Sequence, residues 1–244
     1  MSGLSTRWAL VRGRAKYLRK AIKATLVPSH RECCLCGYKG SFIHSGTPSV
    51  MDAGCPQCQS RPRHRLLKLA LDAAPRIAPQ AAILHFASEP SLRPMIAALS
   101  PAEYLRADLD PKRGDIVVNI ENIDFPDARF DSVICSHVLE HVDDRRALKE
   151  IHRILRPGGV LVAMVPLIEG WDATYEAPEK TSRAERKEHF GGQTHVRYYG
   201  RDFRARLENA GFAVEEFVGA PGDVERYGLI RGERVFFAKR RTTA

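Results

Sequence analysis

The chain predicts an α/β protein built on a doubly wound, seven-stranded and mostly parallel sheet, preceded by a small cysteine module and a basic amino-terminal helix. Three observations carry this expectation. Phe130 to Pro166, FDSVICSHVLEHVDDRRALKEIHRILRPGGVLVAMVP, runs from an apolar strand through a polar edge and an amphipathic helix to a Gly-Gly turn and a second apolar strand. That order, with a crossover of that length, is what adjacent parallel strands require. Apolar runs of strand length recur on both sides of this block, and five of the six cysteines crowd between residues 33 and 58.

The length of 244 residues suits one full core plus a small appendage. Trp8, Ala9, Val11, Tyr17, Leu18, Ile22 and Leu26 alternate with Arg7, Arg12, Arg14, Lys16, Arg19, Lys20 and Lys23, so residues 1–28 read as a basic amphipathic helix. Such a helix either lies on an anionic bilayer or packs its apolar stripe on the core. Residues 1–65 hold 12 of the 38 Lys and Arg but 2 of the 29 Asp and Glu, whereas the rest of the chain is nearly balanced. Basicity placed at the front suits RNA, an anionic membrane surface or an acidic partner, and equally a solvated helix face. Arg and Lys punctuate residues 6–26, so no secretory apolar centre forms. No run of about 18 apolar residues exists to span a bilayer. The expectation is a cytoplasmic protein, with peripheral membrane contact through residues 1–28 as its variant.

Residues 29–62 read as a ribbon. Cys33-x2-Cys36 and Cys55-x2-Cys58 are two ligand pairs 18 residues apart, the spacing of a four-thiolate structural zinc site. Each turn sets two sulfurs on one side of a tight loop, and two loops complete a tetrahedron. A disulfide framework is the competing reading and leaves one cysteine odd. Cys34 is an alternative to Cys33, and His44 and His64 are reserve ligands. Arg61, Arg63, His64 and Arg65 follow the last pair at the start of a helix expected over 62–73, which suits either an anionic partner or an exposed helix start.

Residues 63–244 supply the sheet. Strands are expected at 81–87, 103–108, 115–119, 130–136, 160–165, 212–218 and 233–239, with helices at 91–99 and 202–210. The last two strands leave no room between them for a helix of useful length, so they are expected to pair antiparallel. Ligands of a doubly wound sheet bind beyond the carboxyl ends of its strands, here Ser136 to His141. The loop after the first strand, His85-Phe86-Ala87-Ser88-Glu89-Pro90-Ser91, lacks a glycine run and carries an acid that would repel a pyrophosphate.

The 130–166 block resembles the fourth and fifth strands of class I S-adenosylmethionine-dependent methyltransferases of the type 11-like group, with their Rossmann-like fold. Leu84 to Glu89 (LHFASE), Cys55 to Arg65 (CPQCQSRPRHR), Thr174-Tyr175-Glu176 and His189 to Gly200 (HFGGQTHVRYYG) resemble a bacterial subgroup of these enzymes that bears a ribbon. The resemblance implies an S-adenosylmethionine site. In it Ala87 stands in the first loop where the family commonly has glycine, and Glu89 faces the methionine ammonium. Asp108 binds the ribose hydroxyls, Asn119 and Ile120 lie against adenine, and Ser136 lies at the mouth of the fourth strand. Ala87 and Asn119 depart from the family pattern, which leaves a degenerate loop without cofactor as the alternative.

Methyl transfer from a sulfonium is a direct displacement that rewards alignment and a deprotonated acceptor. An oxygen acceptor wants a base, and histidine is suited near neutral pH. The candidates are His137 past the fourth strand and, in a long polar insertion at 167–199 expected to act as a substrate lid, Tyr175, His195 and Arg197. Arg197 would hold a carboxylate or phosphate. His137-Val138-Leu139-Glu140-His141 also spells an inverted zinc-protease motif, which the flanking strands argue against. Some ubiquinone-pathway O-methyltransferases resemble this stretch, with a carboxylate in place of His137, and bind a divalent ion there. That resemblance implies a metal-assisted variant at His137, Glu140 and His141. The functional expectation is methyl transfer to a small-molecule or glycan- or lipid-linked acceptor. An RNA methyltransferase using the ribbon and the basic front and a catalytically silent zinc-binding adaptor are the alternatives.

Overall fold

A computed structural model describes residues 31–45 and 50–242, together with Ala15, Leu18, Arg19 and Ile22. The expected helix at 1–28 therefore lies almost wholly outside the described residues. In chain order the elements are β1 (Ile43–Ser45), β2 (Val50–Gly54), α1 (Pro62–Ala73), β3 (Ala82–Phe86), α2 (Arg93–Ala97), β4 (Glu103–Asp108), β5 (Ile116–Val117) and β6 (Phe130–Ser136). A 3-10 turn (Leu139–His141), α3 (Asp144–Ile154), β7 (Leu155–Met164), β8 (Tyr175–Glu176), α4 (Arg183–Phe190), β9 (Arg197–Tyr198), α5 (Phe203–Asn209), β10 (Phe212–Val218), α6 (Pro221–Tyr227) and β11 (Arg234–Arg240) follow. The chain separates into two compact units, residues 1–65 with 220–231, and residues 66–219 with 232–244.

The larger unit is a seven-stranded sheet in the order β10-β11-β7-β6-β3-β4-β5. From β7 to β5 every neighbouring pair is parallel, while β11 lies antiparallel on β7 and β10 antiparallel on β11. Central parallel strands are covered on both faces and read as continuous apolar runs, which is why all five residues of β3 and six of seven in β6 are buried. Helix α3 forms the crossover from β6 to β7. Asp143 caps it by accepting from the Arg145 and Arg146 N–H groups at 3.1 and 3.2 Å. Ala147, Leu148, Ile151 and Ile154 then recur at helical spacing and are buried.

The strands expected at 103–108, 130–136 and 212–218 form at those limits, those at 81–87 and 233–239 shift by one residue at each end, and larger differences lie elsewhere. β7 starts at Leu155, which pairs with Phe130; the ladder then bulges and resumes at Val160 opposite Ser132. β5 has two residues, because the Asp115 carboxylate occupies the Arg106 N–H at 3.0 Å and ends the ladder there. The connection from β10 to β11 does hold a helix, contrary to the sequence expectation. Pro221 opens α6 and Gly228, at φ 57°, closes it, the Pro-first, Gly-last punctuation that cuts a short helix. The two strands still pair antiparallel, since nothing has to cross the sheet.

The insertion after β7 has structure of its own. β8 and β9 pair antiparallel, and α4 is defined by a reciprocal capping box between Ser182 and Glu185 and by Gly191 in the left-handed conformation at its C-cap. Ser182-x-x-Glu185 and Gly191 were readable signals that the sequence analysis did not use.

The smaller unit buries a cluster of Cys33, Phe42 and Cys55, and Ile43, Ala53 and Leu229 are buried as well. Beside it Arg65 is fully buried. Its guanidinium donates to the carbonyls of Ser60, Ala53, Tyr227 and Gly228 at 2.6–2.9 Å and lies over the Phe42 ring. Arg65 is thus an internal brace rather than part of an exposed helix start. Residues 220–231, expected within the catalytic span, belong to this unit. Among the described residues no helix is long and apolar enough to cross a membrane.

Candidate active site and sulfur cluster

Parallel pairing places the carboxyl ends of β3, β4, β6 and β7 on one edge of the sheet, and most of the expected site residues stand there. Ala87 follows β3 at φ 48°, with its N–H donating to the Ala107 carbonyl at 2.8 Å. Glycine adopts that conformation freely and alanine at some cost, so the turn keeps the backbone shape of a glycine loop without the glycine. Buried Ser88 and His85 both meet the Tyr104 hydroxyl, at 3.1 and 2.9 Å. The Glu89 carbonyl accepts from the Leu92 N–H in the same turn.

Asp108 ends β4, half-buried. One carboxylate oxygen accepts from the Asp110 N–H at 3.0 Å and the other lies 3.5 Å from Arg113. Asn119 is exposed, and its side-chain oxygen accepts from the Glu121 N–H at 3.0 Å, which commits one of the two lone pairs expected to meet adenine. Ile120 is buried in the core.

Ser136 ends β6, buried, and its hydroxyl has no hydrogen-bond partner among the described residues. His137 comes next at φ 55°. Its Nδ1 lies 3.1 Å from the Glu140 Oε1; a carboxylate only accepts, so Nδ1 carries the proton and Nε2 keeps the basic lone pair. That Nε2 and the Glu140 Oε2 are buried without partners among the described residues. Burial opposes ionisation of Glu140, yet the His137 hydrogen bond and charge, a backbone N–H and the nearby His141 together hold the carboxyl below its usual range. His137 to His141 occupies no regular α-helix, only a bend followed by one 3-10 turn, so the protease geometry of two histidines on one helix face is absent here.

The insertion reaches this edge through His195, whose ring stands edge-to-face with His141 at 4.7 Å between centroids. The Val196 N–H donates to the Glu140 carbonyl at 2.9 Å. Burial holds His195 toward its neutral form. Tyr175 is paired elsewhere, its hydroxyl 2.8 Å from the His189 Nδ1.

Arg197 does not serve as the open anion clamp expected from its sequence position. It is buried, and donates to the Glu176 carboxylate at 2.7 Å and to the Leu139 and Val142 carbonyls at 2.7 and 2.5 Å. Asp144, Tyr199 and Arg206 complete the network: Tyr199 donates to the Leu139 carbonyl and to Asp144, both at 3.1 Å, and Arg206 to Asp144 at 2.9 Å. This network pins the 139–142 turn that carries Glu140 and His141. Sequence reasoning missed it because Asp143 and Asp144 look alike, though one caps α3 and the other turns inward.

In the smaller unit the sulfurs of Cys33, Cys36, Cys55 and Cys58 all lie within 4.8 Å of one another. Cys33–Cys58 and Cys36–Cys55 are each 3.6 Å apart. A disulfide would need about 2.05 Å, whereas Zn–S bonds of about 2.3 Å set tetrahedral sulfurs about 3.8 Å apart. The Cys34 sulfur instead meets the Arg65 carbonyl. The His64 Nδ1 accepts from the Arg61 N–H, and neither His44 nor His64 joins the cluster. Hydrogen bonds from Cys55 and Cys58 favour the Cys33 thiolate, while Cys33 in turn pushes the Cys55 thiol up and burial raises Cys36 to about 11. As thiolates, four sulfurs this close would need a cation among them, and the spacing suits a zinc ion.

Residues 95–163 match a family model described as a methyltransferase domain. Over 74% of this chain and 91% of the other, the structure is similar to that of the complex of the Haloferax volcanii Trm112 methyltransferase activator with a methyltransferase (TM-score 0.55, 17% identity). This is the class I methyltransferase fold. The structure is also similar to that of the Burkholderia thailandensis 1,6-didemethyltoxoflavin-N1-methyltransferase, solved with S-adenosylhomocysteine (TM-score 0.50, 16% identity, 75% of this chain and 78% of that one). In sequence, 86 residues are 36% identical to the Escherichia coli ubiquinone/menaquinone biosynthesis C-methyltransferase UbiE, covering 34% of this chain and 30% of that protein. A stretch of 54 residues is 46% identical to an uncharacterized Methanocaldococcus jannaschii protein, covering 22% and 24%. The chain thus spans less than a third of the length of these curated relatives.

Proposed function

We propose that the protein transfers the methyl group of S-adenosylmethionine to a small-molecule or glycan- or lipid-linked acceptor held under the 167–199 insertion. The observation that supports it most is the edge where Ala87, Asp108 and His137 follow β3, β4 and β6 and the insertion follows β7. In this reading the Ala87–Glu89 turn takes the methionine end of the cofactor, with Glu89 toward its ammonium. Asp108 takes the ribose hydroxyls, Asn119 and Ile120 border the adenine, and Ser136 lines the mouth. His137 is the base: Glu140 orients its Nδ1–H, and the unpartnered Nε2 accepts the acceptor's proton. The acceptor atom then bonds to the methyl carbon as the carbon–sulfur bond breaks, and the electron pair stays on sulfur. Tyr175 and His195 line the acceptor side, and Arg197 is a positioning residue. Zinc held by Cys33, Cys36, Cys55 and Cys58 is structural in this reading, and buried Arg65 offsets part of the negative charge of the four thiolates. RNA as acceptor would draw on the basic residues concentrated in the first 65, half of which lie outside the described residues.

Calorimetric titration of the zinc-loaded protein with S-adenosylmethionine and S-adenosylhomocysteine tests the cofactor site. Micromolar binding is expected. Asp108→Ala removes an acceptor of charge-assisted hydrogen bonds and should weaken it about 10- to 100-fold. Folded wild-type protein that binds neither ligand would overturn the reading in favour of a zinc-binding adaptor.

A further inference from the structure

We propose that Glu140, His141 and His195 form a second metal site, which takes a divalent transition ion of the zinc class. One ligand atom from each lies within 4.8 Å of the others. Glu140 is wholly buried; His137 occupies its Oε1, and Oε2 has no partner among the described residues. His195 is set by its other nitrogen: Nδ1 lies 3.0 Å from the Phe190 carbonyl, which can only accept, so Nε2 presents a lone pair. The ring stands there because residue 192 is glycine. A Cβ on Gly192 would fall 2.6 Å from the His195 Cδ2 and 2.7 Å from its Nε2.

A buried carboxylate and an imidazole that presents a lone pair thus each set a ligand atom within 4.8 Å of the other and of a His141 nitrogen, and the Glu140 Oε2 meets no donor among the described residues. A proton satisfies one pair of acceptors and leaves the third, whereas a divalent ion satisfies all three. Two imidazoles and one carboxylate, with further positions left for an outside ligand, are the donor set of catalytic zinc sites and a poor one for Mg2+ or Ca2+. An ion centred among atoms no more than 4.8 Å apart draws each inward by at most about 0.7 Å to reach bonds of about 2.0–2.1 Å. The surroundings are those of metal ligands: the Phe190 carbonyl fixes the His195 tautomer and His137 orients Glu140. His137, which the sequence motif grouped with Glu140 and His141, therefore holds a ligand instead of being one. The remaining positions suit an oxygen-bearing acceptor such as a hydroxyl, phenol or carboxylate. That last role rests on the methyl-transfer reading; binding of the ion does not.

The test is metal stoichiometry on the full chain. Zinc-loaded wild type is expected to hold two ions per chain. Replacement with Co2+ should show one ion with thiolate-to-metal charge transfer and one without. His141→Ala and His195→Ala should each lose the second ion and keep the first, and Cys36→Ser should do the reverse. Gly192→Ala, which crowds a ligand without removing it, should weaken the second ion about 10-fold or more. Wild type that holds one ion with its sulfur cluster filled overturns the proposal whether or not the variants fold, as does a second ion that survives in both histidine variants. S-adenosylhomocysteine titration of the same samples separates the two readings. A second ion without cofactor binding would sink methyl transfer alone, and cofactor binding with one ion would sink this site alone.

Discussion

The two units of this protein are held together by different physics. The seven-stranded sheet buries long apolar runs: β3, β6 and α3 close a continuous core from Ala82 to Ala238, and its stability is that of area removed from water. Among the described residues the ribbon unit buries few apolar side chains, Cys33, Phe42, Ile43, Ala53, Cys55 and Leu229, two of them cysteines. Its order comes from a sulfur cluster and from one buried guanidinium that gathers carbonyls from residues 53, 60, 227 and 228. A unit too small to pay its ordering entropy by burial relies on directional contacts, and directional contacts fail abruptly when one partner is lost.

The sharpest way to break this contrast is chelation. Structural zinc contributes about 10–16 kcal/mol of apparent binding free energy in small domains, so metal removal should unfold the ribbon unit and spare the sheet. Hydrogen exchange should show residues 31–65 and 220–231 losing protection together while 130–164 keeps it; protection retained at 220–231 would separate that segment from the ribbon. Next in size are two substitutions compared by urea denaturation. Arg65→Ala leaves several carbonyls unpaired and should cost about 3–5 kcal/mol, confined to the ribbon unit. Ile151→Ala opens a cavity in the sheet unit and should cost about 2–5 kcal/mol there. The contrast fails if either change destabilises the other unit equally. The smallest effect is expected at Ala87→Gly. Relief of the positive φ should stabilise the sheet unit by about 1 kcal/mol without weakening S-adenosylhomocysteine binding; loss of binding would give the methyl group of Ala87 a contact role.

Much of this was legible in one dimension. Strand patterns locate β4, β6 and β10 to the residue; β6 is an apolar run buried on both faces, while β4 and β10 are mixed runs only partly buried. The C-x2-C pairs name the four clustered sulfurs, since the reach of each turn is short. Legibility fell where a residue's partner is distant in the chain. Arg197 reads as an exposed cation on a polar loop, yet its partners are Glu176 and the carbonyls of Leu139 and Val142. The 167–199 insertion reads as an unstructured lid because its polar helix α4 is set by a cap and a glycine rather than by an apolar face.

By itself the sequence determined the parallel sheet, the edge on which a ligand would bind and the cysteine cluster, because each rests on periodicity or spacing within a few residues. Only the tertiary structure decided that α6 joins the ribbon, that Arg65 is internal, and that His195 meets Glu140 and His141 from 54 positions away. Those outcomes depend on which buried polar groups find partners across the fold, and backbone periodicity carries no record of that.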